Sequence, residues 1–289
     1  MSILNEIEIR NGKGKRIFNI VLMVLIIGIP IQVFPYYWML SNAFKSNLEI
    51  IKMPPTLWPE SLNLQAFVEV FNEFRLGQTL WNTAVILFWC IVIQVSLMVL
   101  AAYALSKLNL KGKNFLLLYC LATMMISGQA LMIPTYIMMV KLPIFNISLV
   151  NNNLSLILAF SSWGYTLFMC KAFFDTLPNE LLEAGKIDGA SDFGIFYKIV
   201  LPLSKPVVSV NILNTFIVVY NQFAFPIMLL PKEENWTMMI RIYVSLYSPN
   251  LSWNKMMIML TVATIPVIVA YLIAQKNVIQ GISTTGLKG

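Results

Sequence analysis

The chain has 289 residues, of which 58% are apolar and only 11% are charged. A soluble domain usually carries about a quarter charged residues, so this composition excludes an ordinary soluble protein. The formal net charge is +7, and the sequence contains no histidine. Because the basic residues lie between apolar segments, we interpret this charge as a membrane-topology signal and expect no nucleic-acid partner.

Six segments contain no Asp, Glu, Lys or Arg: 17–44, 76–106, 114–140, 142–170, 206–231 and 256–275. Each is long enough for the roughly 20 apolar residues that a membrane-spanning helix needs. The sequence therefore predicts an all-α membrane protein with six transmembrane helices. The first apolar run, residues 17–40, is too long for a cleavable signal peptide, so we expect it to remain as an anchor.

The orientation follows from the short loops. Six spans place the N-terminus, the second and fourth loops and the C-terminus on one side of the membrane, and 13 of the 20 lysines and arginines lie there. Basic residues concentrate on the cytoplasmic side, so both termini are predicted to be cytoplasmic. The predicted divisions are a cytoplasmic segment 1–16, a transmembrane domain 17–275 and a cytoplasmic tail 276–289.

Residues 41–79 form the longest predicted outside loop. Its centre has apolar residues at helical spacing, namely Leu64, Phe67, Val68, Phe71 and Phe74. We expect this helix to lie at the membrane surface and cap the bundle, although contact with an external partner is an alternative. The cysteines, Cys90, Cys120 and Cys170, have no C-x-x-C spacing, and we interpret them as packing residues.

The predicted cytoplasmic loop 175–205 differs from the other loops because it contains helix-capping residues. Asp175 or Thr176 is expected to cap a first helix, with Pro178 in its first turn. Asp188-Gly189 is expected to end this helix, since glycine adopts the left-handed conformation without a Cβ clash.

A second helix is predicted to begin at Ser191 or Asp192 and to end at Pro202. The first helix carries small residues, Ala184 and Gly185, at its centre. Small residues would let another protein approach closely, but an ordinary packed connector would have the same pattern.

This segment resembles the EAA loop of binding-protein-dependent ABC transporter permeases, whose pattern is Glu-Ala-Ala, then Asp-Gly-Ala, then Ile-x-Leu-Pro. The matching residues are Glu183, Ala184, Asp188, Gly189, Ala190, Ile199, Leu201 and Pro202. Gly185 stands where the family has its second alanine. This change keeps the position small and costs about 1 kcal/mol of helix stability.

Further segments are similar to the carbohydrate-importing branch of that family, and the chain's ending resembles the tail of the smaller maltose-type membrane subunit. The segments are Pro35–Trp38 with Lys45, Trp81–Thr83, Ile133–Tyr136, Asn221–Pro226 and Gly281–Gly289. The resemblance implies import of a sugar or oligosaccharide across a bacterial inner or plasma membrane. Another small solute, such as a sugar phosphate or an amino acid, is the alternative.

The sequence has no Gly-x-x-x-x-Gly-Lys-Ser/Thr phosphate loop, so we expect no ATP binding by this chain and no enzymatic activity of its own. The resemblance implies two cytoplasmic ATPase subunits, which bind ATP and Mg²⁺ and receive the EAA helix. It also implies a second, homologous permease subunit and an extracellular solute-binding protein. The tail residues Lys288 and Gly289 are expected to reach between the ATPase subunits.

Polar and aromatic residues within the predicted spans are candidates for the substrate pathway, because polar groups in a membrane usually face the protein interior. The preferred candidates are Asn214, Asn221, Gln222, Gln129 and Tyr136, and the further candidates are Gln94, Asn211 and Trp163. Interhelical hydrogen bonding, which contributes about 0.6 kcal/mol on average, is the alternative role. A channel, a proton-coupled carrier or a membrane enzyme is disfavoured, since the spans contain no ionisable group or catalytic constellation, and no metal site is expected.

Overall fold

The computed structural model describes residues 12–143, 145–161 and 163–285, and that part of the chain is helical without strands. A π-helical turn covers Phe196–Val200 and a 3-10 turn covers Glu233–Asn235. The α-helices are α1 (Gly12–Ala43), α2 (Asn47–Ile50), α3 (Gln65–Glu73), α4 (Leu76–Lys107), α5 (Lys113–Thr123), α6 (Met132–Val140), α7 (Asn153–Ala159), α8 (Gly164–Asp175), α9 (Asn179–Ile187), α10 (Asp192–Ile195), α11 (Leu201–Leu203), α12 (Lys205–Tyr220), α13 (Ala224–Leu229), α14 (Met238–Ser245) and α15 (Trp253–Thr285).

Three continuous helices are long and apolar enough to cross a membrane, and they correspond to the first, second and sixth predicted spans. They are Gly14–Ala43 in α1, Leu76–Lys107 in α4 and Trp253–Lys276 in α15. Two bent pairs bring the number to as many as five: α7 with α8, bent by 45°, and Asp192–Leu203 with α12, bent by 78°. Residues 276–285, predicted as part of a tail, continue α15.

The third predicted span, 114–140, does not form one helix. It is divided into α5 and α6, and residues 124–131 form turns in which Ala130 N–H donates to the Ser127 carbonyl. Pro134 lies in the first turn of α6, where its missing N–H is not needed. A helix running through this point would place the proline ring against the carbonyl of residue 130, which explains the separate start of α6.

The described part of the chain forms two compact units, and the first comprises residues 12–75, 245–265 and 283–285. In this unit the predicted outside helix is α3, and its apolar residues lie along one side of the helix, where some are buried and others exposed. Val70 is buried, and Phe67 contacts Phe44 with 4.9 Å between the ring centres. Val68 and Phe71 are exposed, so the chain's own residues cover this side of α3 only in part, and its place at the membrane surface stays a prediction.

The second unit comprises residues 76–244 and 266–282, and α4 is its central helix. Helix α4 packs against α7, α8 and α12. One apolar cluster includes Ile86, Cys90 and Leu156. Another includes Val99, Phe174 and Leu182, and it supports the predicted cytoplasmic loop.

Candidate coupling site

Helix α9 carries the Glu-Ala-Gly part of the motif and begins one residue after Pro178. The expected cap at Asp175 or Thr176 is wrong. Asp175 is the last residue of α8, and Thr176 is the C-cap of that helix, donating from Oγ1 to the Phe173 carbonyl at 2.7 Å. The residue before a proline is disfavoured in the helical region, so a helix cannot easily start before Pro178.

The end of α9 matches the prediction. Asp188 is the C-cap and Gly189 has φ +79°, the left-handed conformation that favours glycine. Gly189 N–H donates to the Lys186 carbonyl and Ala190 N–H donates to the Gly185 carbonyl, each at 3.0 Å. These two bonds form a Schellman motif, which satisfies carbonyls at the helix end and fixes the direction of the following chain.

The second helix of the loop begins as expected but does not end as expected. Ser191 is the N-cap, and its Oγ accepts a hydrogen bond from Gly194 N–H at 3.2 Å. The helix continues past Pro202 to Leu203, through the π-helical turn Phe196–Val200. A π-turn widens the backbone just before the proline, which relieves the clash between the proline ring and the carbonyl four residues earlier.

The two faces of α9 differ in exposure. Leu182 and Gly185 are buried against the chain's own residues, and a Cβ placed on Gly185 would lie 3.0 Å from Ile199 Cδ1 and 3.2 Å from Ile195 Cγ1. Ile187, by contrast, is 86% exposed. Of the other motif residues, Glu183, Ala184, Asp188 and Gly189 are exposed, and Ala190 is partly buried.

The side chains that attach this loop to α4 are not predictable from the sequence. Tyr103, Ser106 and Lys107 at the end of α4 each donate a hydrogen bond to the segments on either side of α9. In the sequence, Lys107 is recognisable only as one of the 13 basic residues that indicate the cytoplasmic side. Its bonding partners lie about 70 residues away in the sequence, so no local pattern indicated them.

The preferred pathway candidates lie on several different elements. Asn214 is partly buried in α12, whereas Asn221 is the exposed C-cap of that helix and donates to the Ile217 carbonyl at 2.8 Å. Gln222 follows α12 and is partly buried. Gln129 is exposed between α5 and α6 and accepts from Ser127, and Tyr136 in α6 packs against the apolar cluster around Ile86.

Two further candidates make interhelical contacts. Gln94 in α4 donates to Thr166 Oγ1 in α8 at 3.1 Å. Asn211 in α12 donates to the Val207 carbonyl and lies 3.3 Å from Cys170 Sγ in α8. Both residues are fully buried. The third, Trp163, is the partly buried N-cap of α8, and its ring centre lies 6.3 Å from that of Tyr165.

Two cavities lie in the second unit, and neither is lined by a preferred pathway candidate. One, of about 290 Å³, is lined by Leu80, Thr83, Ala84, Leu87, Ile91, Phe216, Tyr220 and Pro266. The other, of about 410 Å³, is lined by Val85, Trp89, Ile93, Asn152, Asn153, Leu154 and Ile157. Both linings are mostly apolar. Among the described residues there is also no cluster of His, Cys, Asp and Glu that could hold a metal ion.

Known proteins resemble this chain over most of its length. The permease protein YcjP of Escherichia coli is 29% identical over 90% of this chain and 92% of its own, and it is named as an inner membrane ABC transporter permease. AraQ of Halalkalibacterium halodurans, named for arabinooligosaccharide transport, is 28% identical over 90% of this chain and 92% of its own. UgpE of Yersinia pestis, named for sn-glycerol-3-phosphate transport, is 29% identical over 95% of this chain and 98% of its own.

The fold is also that of a solved structure, a bacterial ABC transporter that imports the acidic polysaccharide alginate. The two chains superimpose with a TM-score of 0.81 at 23% identity, covering 92% of this chain and 98% of the other. The family model of the binding-protein-dependent transport system inner membrane component matches residues 95–284, which include α9 and the whole motif. The chain therefore belongs to the family of binding-protein-dependent transport system inner membrane components, the permease subunits of ABC importers, which translocate a solute and catalyse no reaction themselves.

Proposed function

We propose that this chain forms one half of the membrane pathway of an importer for a sugar or oligosaccharide, and that α9 is the helix through which cytoplasmic ATPases drive it. The exposed face of α9 carries the coupling part of the proposal. Ile187 is 86% exposed, and fully burying such a side chain stabilises by about 1.5–3 kcal/mol. An apolar side chain projecting from a helix with a well-formed C-terminal cap is well suited to insertion into a groove on a partner.

The small residues of α9 support the same role. Ala184 leaves the helix backbone accessible on the exposed side, and Glu183 and Asp188 place carboxylates at either side of it. Gly185 faces inward, so the glycine at the position of the family's second alanine affects packing within this chain and leaves the outer surface unchanged. The Schellman cap at Gly189 holds the end of α9 while the partner is bound.

The mechanism that follows is a rigid-body switch. Closure of two ATPase subunits around ATP and Mg²⁺ displaces α9 and changes which side of the membrane the pathway opens to. ATP acts through its different affinity for the two states. A second, homologous permease completes the pathway, and an extracellular binding protein delivers the solute to it.

The proposed orientation places both termini in the cytoplasm of a bacterial cell. Residues 286–289, which include Lys288 and Gly289, lie outside the described part of the chain. Their contact with the ATPases remains part of the proposal. The five preferred pathway residues likewise remain proposals, with Asn214 foremost because it is a partly buried amide within a membrane-length segment.

A saccharide is the cargo best supported by the relatives. AraQ is named for arabinooligosaccharides, and the structurally similar transporter imports alginate. UgpE is named for sn-glycerol-3-phosphate, so a small phosphorylated polyol is the second candidate.

The test is to purify the permease pair with its ATPase and binding protein in lipid vesicles. ATP hydrolysis is then measured with neutral oligosaccharides, an acidic oligosaccharide, sn-glycerol-3-phosphate and amino acids. Stimulation by a saccharide is expected. Stimulation by sn-glycerol-3-phosphate or by an amino acid, with no response to any saccharide, would overturn the cargo assignment and leave the coupling role of α9 intact.

A further inference from the structure

Three polar side chains at the end of α4 bond to the segments on both sides of α9. Before α9, Ser106 Oγ donates to Asp175 Oδ1 at 2.6 Å, and Lys107 Nζ donates to the Leu177 carbonyl at 2.7 Å. After α9, Tyr103 Oη donates to the Asp192 carbonyl at 3.1 Å. The end of α4 therefore contacts the chain where it enters α9 and where it leaves it.

Lys107 forms a hydrogen bond to a residue of α9 itself. Besides the Leu177 carbonyl, its ammonium donates to Asn179 Oδ1 at 2.9 Å. Leu177 lies in the short link 176–178 between α8 and α9, and Asn179 is the first residue of α9. One cation thus holds both the link and the start of the helix. Hydrogen bonds with an ionised donor or acceptor are about twice as strong as neutral ones, so the two Lys107 bonds are, like the bond from Ser106 to the Asp175 carboxylate, among the stronger ones in the group.

Further contacts hold α9 and the residue before its link in place. Asp175, which accepts from Ser106, also pairs with Lys171 at 2.7 Å within α8. Beneath α9, Leu182 is part of the apolar cluster that contains Val99 and Tyr103 of α4. Helix α9 is therefore held by apolar packing beneath it and by hydrogen bonds at both of its ends, while its outer face stays exposed.

We infer that Lys107 is a positioning residue for coupling. It fixes the start of α9 to the end of α4, a helix of 32 residues, so that a displacement of α9 is passed to α4. Without this contact, the link 176–178 would absorb part of the displacement. The inference rests on the proposed docking of α9 to an ATPase.

A topology charge is the simpler role for a lysine at a helix end. Lys111 and Lys113 lie in the same short loop and supply that charge as well. Lys111 is exposed, which makes it the matched control, because removing its charge alters topology signals equally and leaves the Lys107 contacts in place.

The experiment uses the assembled complex with both permeases, the ATPase and the binding protein. Spin labels at Leu100→Cys in α4 and Leu181→Cys in α9, both on exposed positions, report the distance between these helices. Cys120 is first replaced by serine because it is only partly buried, whereas Cys90 and Cys170 are buried. The distance is measured without nucleotide and with a non-hydrolysable ATP analogue and Mg²⁺.

With Lys107 present, we expect one narrow distance distribution that is the same in both nucleotide states. In Lys107→Met the distribution should broaden and shift when the analogue binds. Stimulation of ATP hydrolysis by the binding protein should fall by at least about tenfold, because the substitution removes two charge-assisted hydrogen bonds and the loss of one alone changes an equilibrium by about that factor. Lys107→Arg should restore both properties, and Lys111→Met should match the unsubstituted protein.

A narrow, unshifted distribution and full stimulation in Lys107→Met would overturn the inference. If Lys107→Met does not accumulate in the membrane, Asn179→Ala removes the acceptor at the start of α9 from an exposed position and leaves the Leu177 bond. A smaller broadening is then expected, and an unchanged distribution would overturn the role assigned to the contact with α9. Failure of the proposed docking is distinguished beforehand, because the unsubstituted permease would then not co-purify with the ATPase.

Discussion

Gly185 and Ile199 approach so closely that a Cβ on the glycine would lie 3.0 Å from Ile199 Cδ1. The contact joins the buried face of α9 to the π-helical turn that follows it. It gives a packing reason for glycine at the position where the family pattern has alanine, although glycine lowers helix stability by about 1 kcal/mol relative to alanine.

Because of this contact, we expect Gly185→Ala to change the stability of the permease very little. The gain in helix propensity is offset by the displacement of Ile199 Cδ1, which can move because it ends a flexible side chain. We expect ATPase co-purification to stay within about twofold of the unsubstituted level in Gly185→Ala and to fall by roughly 5- to 150-fold in Gly185→Leu, because overpacking costs about 1–3 kcal/mol. Gly77→Ala, where the Cβ meets nothing within 4 Å, is the control. Equal loss of association in Gly185→Ala and Gly185→Leu would contradict the packing explanation.

The backbone conformation at position 189 favours glycine, and a Cβ added there would have no atom of the described residues within 4 Å. Substitution costs about 1–2 kcal/mol because of the left-handed backbone, and asparagine tolerates this conformation best. ATPase co-purification should therefore fall in the order Gly189→Asn, Gly189→Ala, Gly189→Val.

Gly112 is the matched control for that series, since it has φ +77° and also has open space around its Cβ position. Gly112→Val should lower thermal stability by a similar amount while the ATPase remains bound. If Gly112→Val and Gly189→Val reduce association equally, the effect of Gly189 is general destabilisation, and the specific role of the α9 cap is wrong.

Substitutions at Ile187 and Leu182 should affect different properties of the protein, namely ATPase association at Ile187 and thermal stability at Leu182. Ile187→Asp should reduce ATPase association at least tenfold with little change in melting temperature, because this side chain is 86% exposed. Leu182→Ala should instead destabilise the permease by about 2–5 kcal/mol, since Leu182 is buried. Association is measured by co-purification and stability by thermal unfolding in detergent. Ile51→Asp, at an exposed isoleucine in the first unit, should leave ATPase association unchanged, and an equal loss there would argue against α9 as the docking helix.

Thr215 is fully buried in α12, and its Oγ1 has no hydrogen-bond partner among the residues that the structure describes. Thr215→Val removes this hydroxyl while keeping the shape of the side chain, so it should stabilise the permease by about 1 kcal/mol. Thr83→Val should destabilise it by a comparable amount, because Thr83 Oγ1 accepts from Met238 N–H at 2.9 Å and donates to the Thr79 carbonyl at 2.8 Å. A lower melting temperature in Thr215→Val would show that the hydroxyl is satisfied in the membrane.

The sequence predicted well those features that are encoded by adjacent residues. Uncharged runs identified α1, α4 and α15, and the Asp188-Gly189 pair identified the end of α9. The division of residues 114–140 was missed because glycine and proline also occur within continuous membrane helices. In the loop, the effect of Pro178 on the residue before it was underestimated, and the start of α9 was placed too early.

Contacts between residues that are far apart in the sequence could not be predicted from it. Lys107 and Asn179 are 72 positions apart, and only the folded chain brings the ammonium to the amide oxygen. The same holds for Gln94 and Thr166, which are also 72 positions apart. A polar residue in a span indicates that some partner exists, but the choice among a pathway, another helix and another subunit depends on packing.

The π-helical turn at Phe196–Val200 makes chain length as important in this loop as residue type. A π-helical turn accommodates one residue more than an α-helical turn, so a deletion within Phe196–Val200 can be absorbed by a return to α-helical geometry. Each residue of an α-helix turns the chain by about 100°, so one residue inserted beside the π-turn would rotate α9 by that angle relative to α12. Helix α9 would then present a different set of side chains to its partner although its own sequence was unchanged. Single-residue insertions between Gly189 and Pro202 should therefore be tolerated much less well than substitutions at exposed positions in the same stretch.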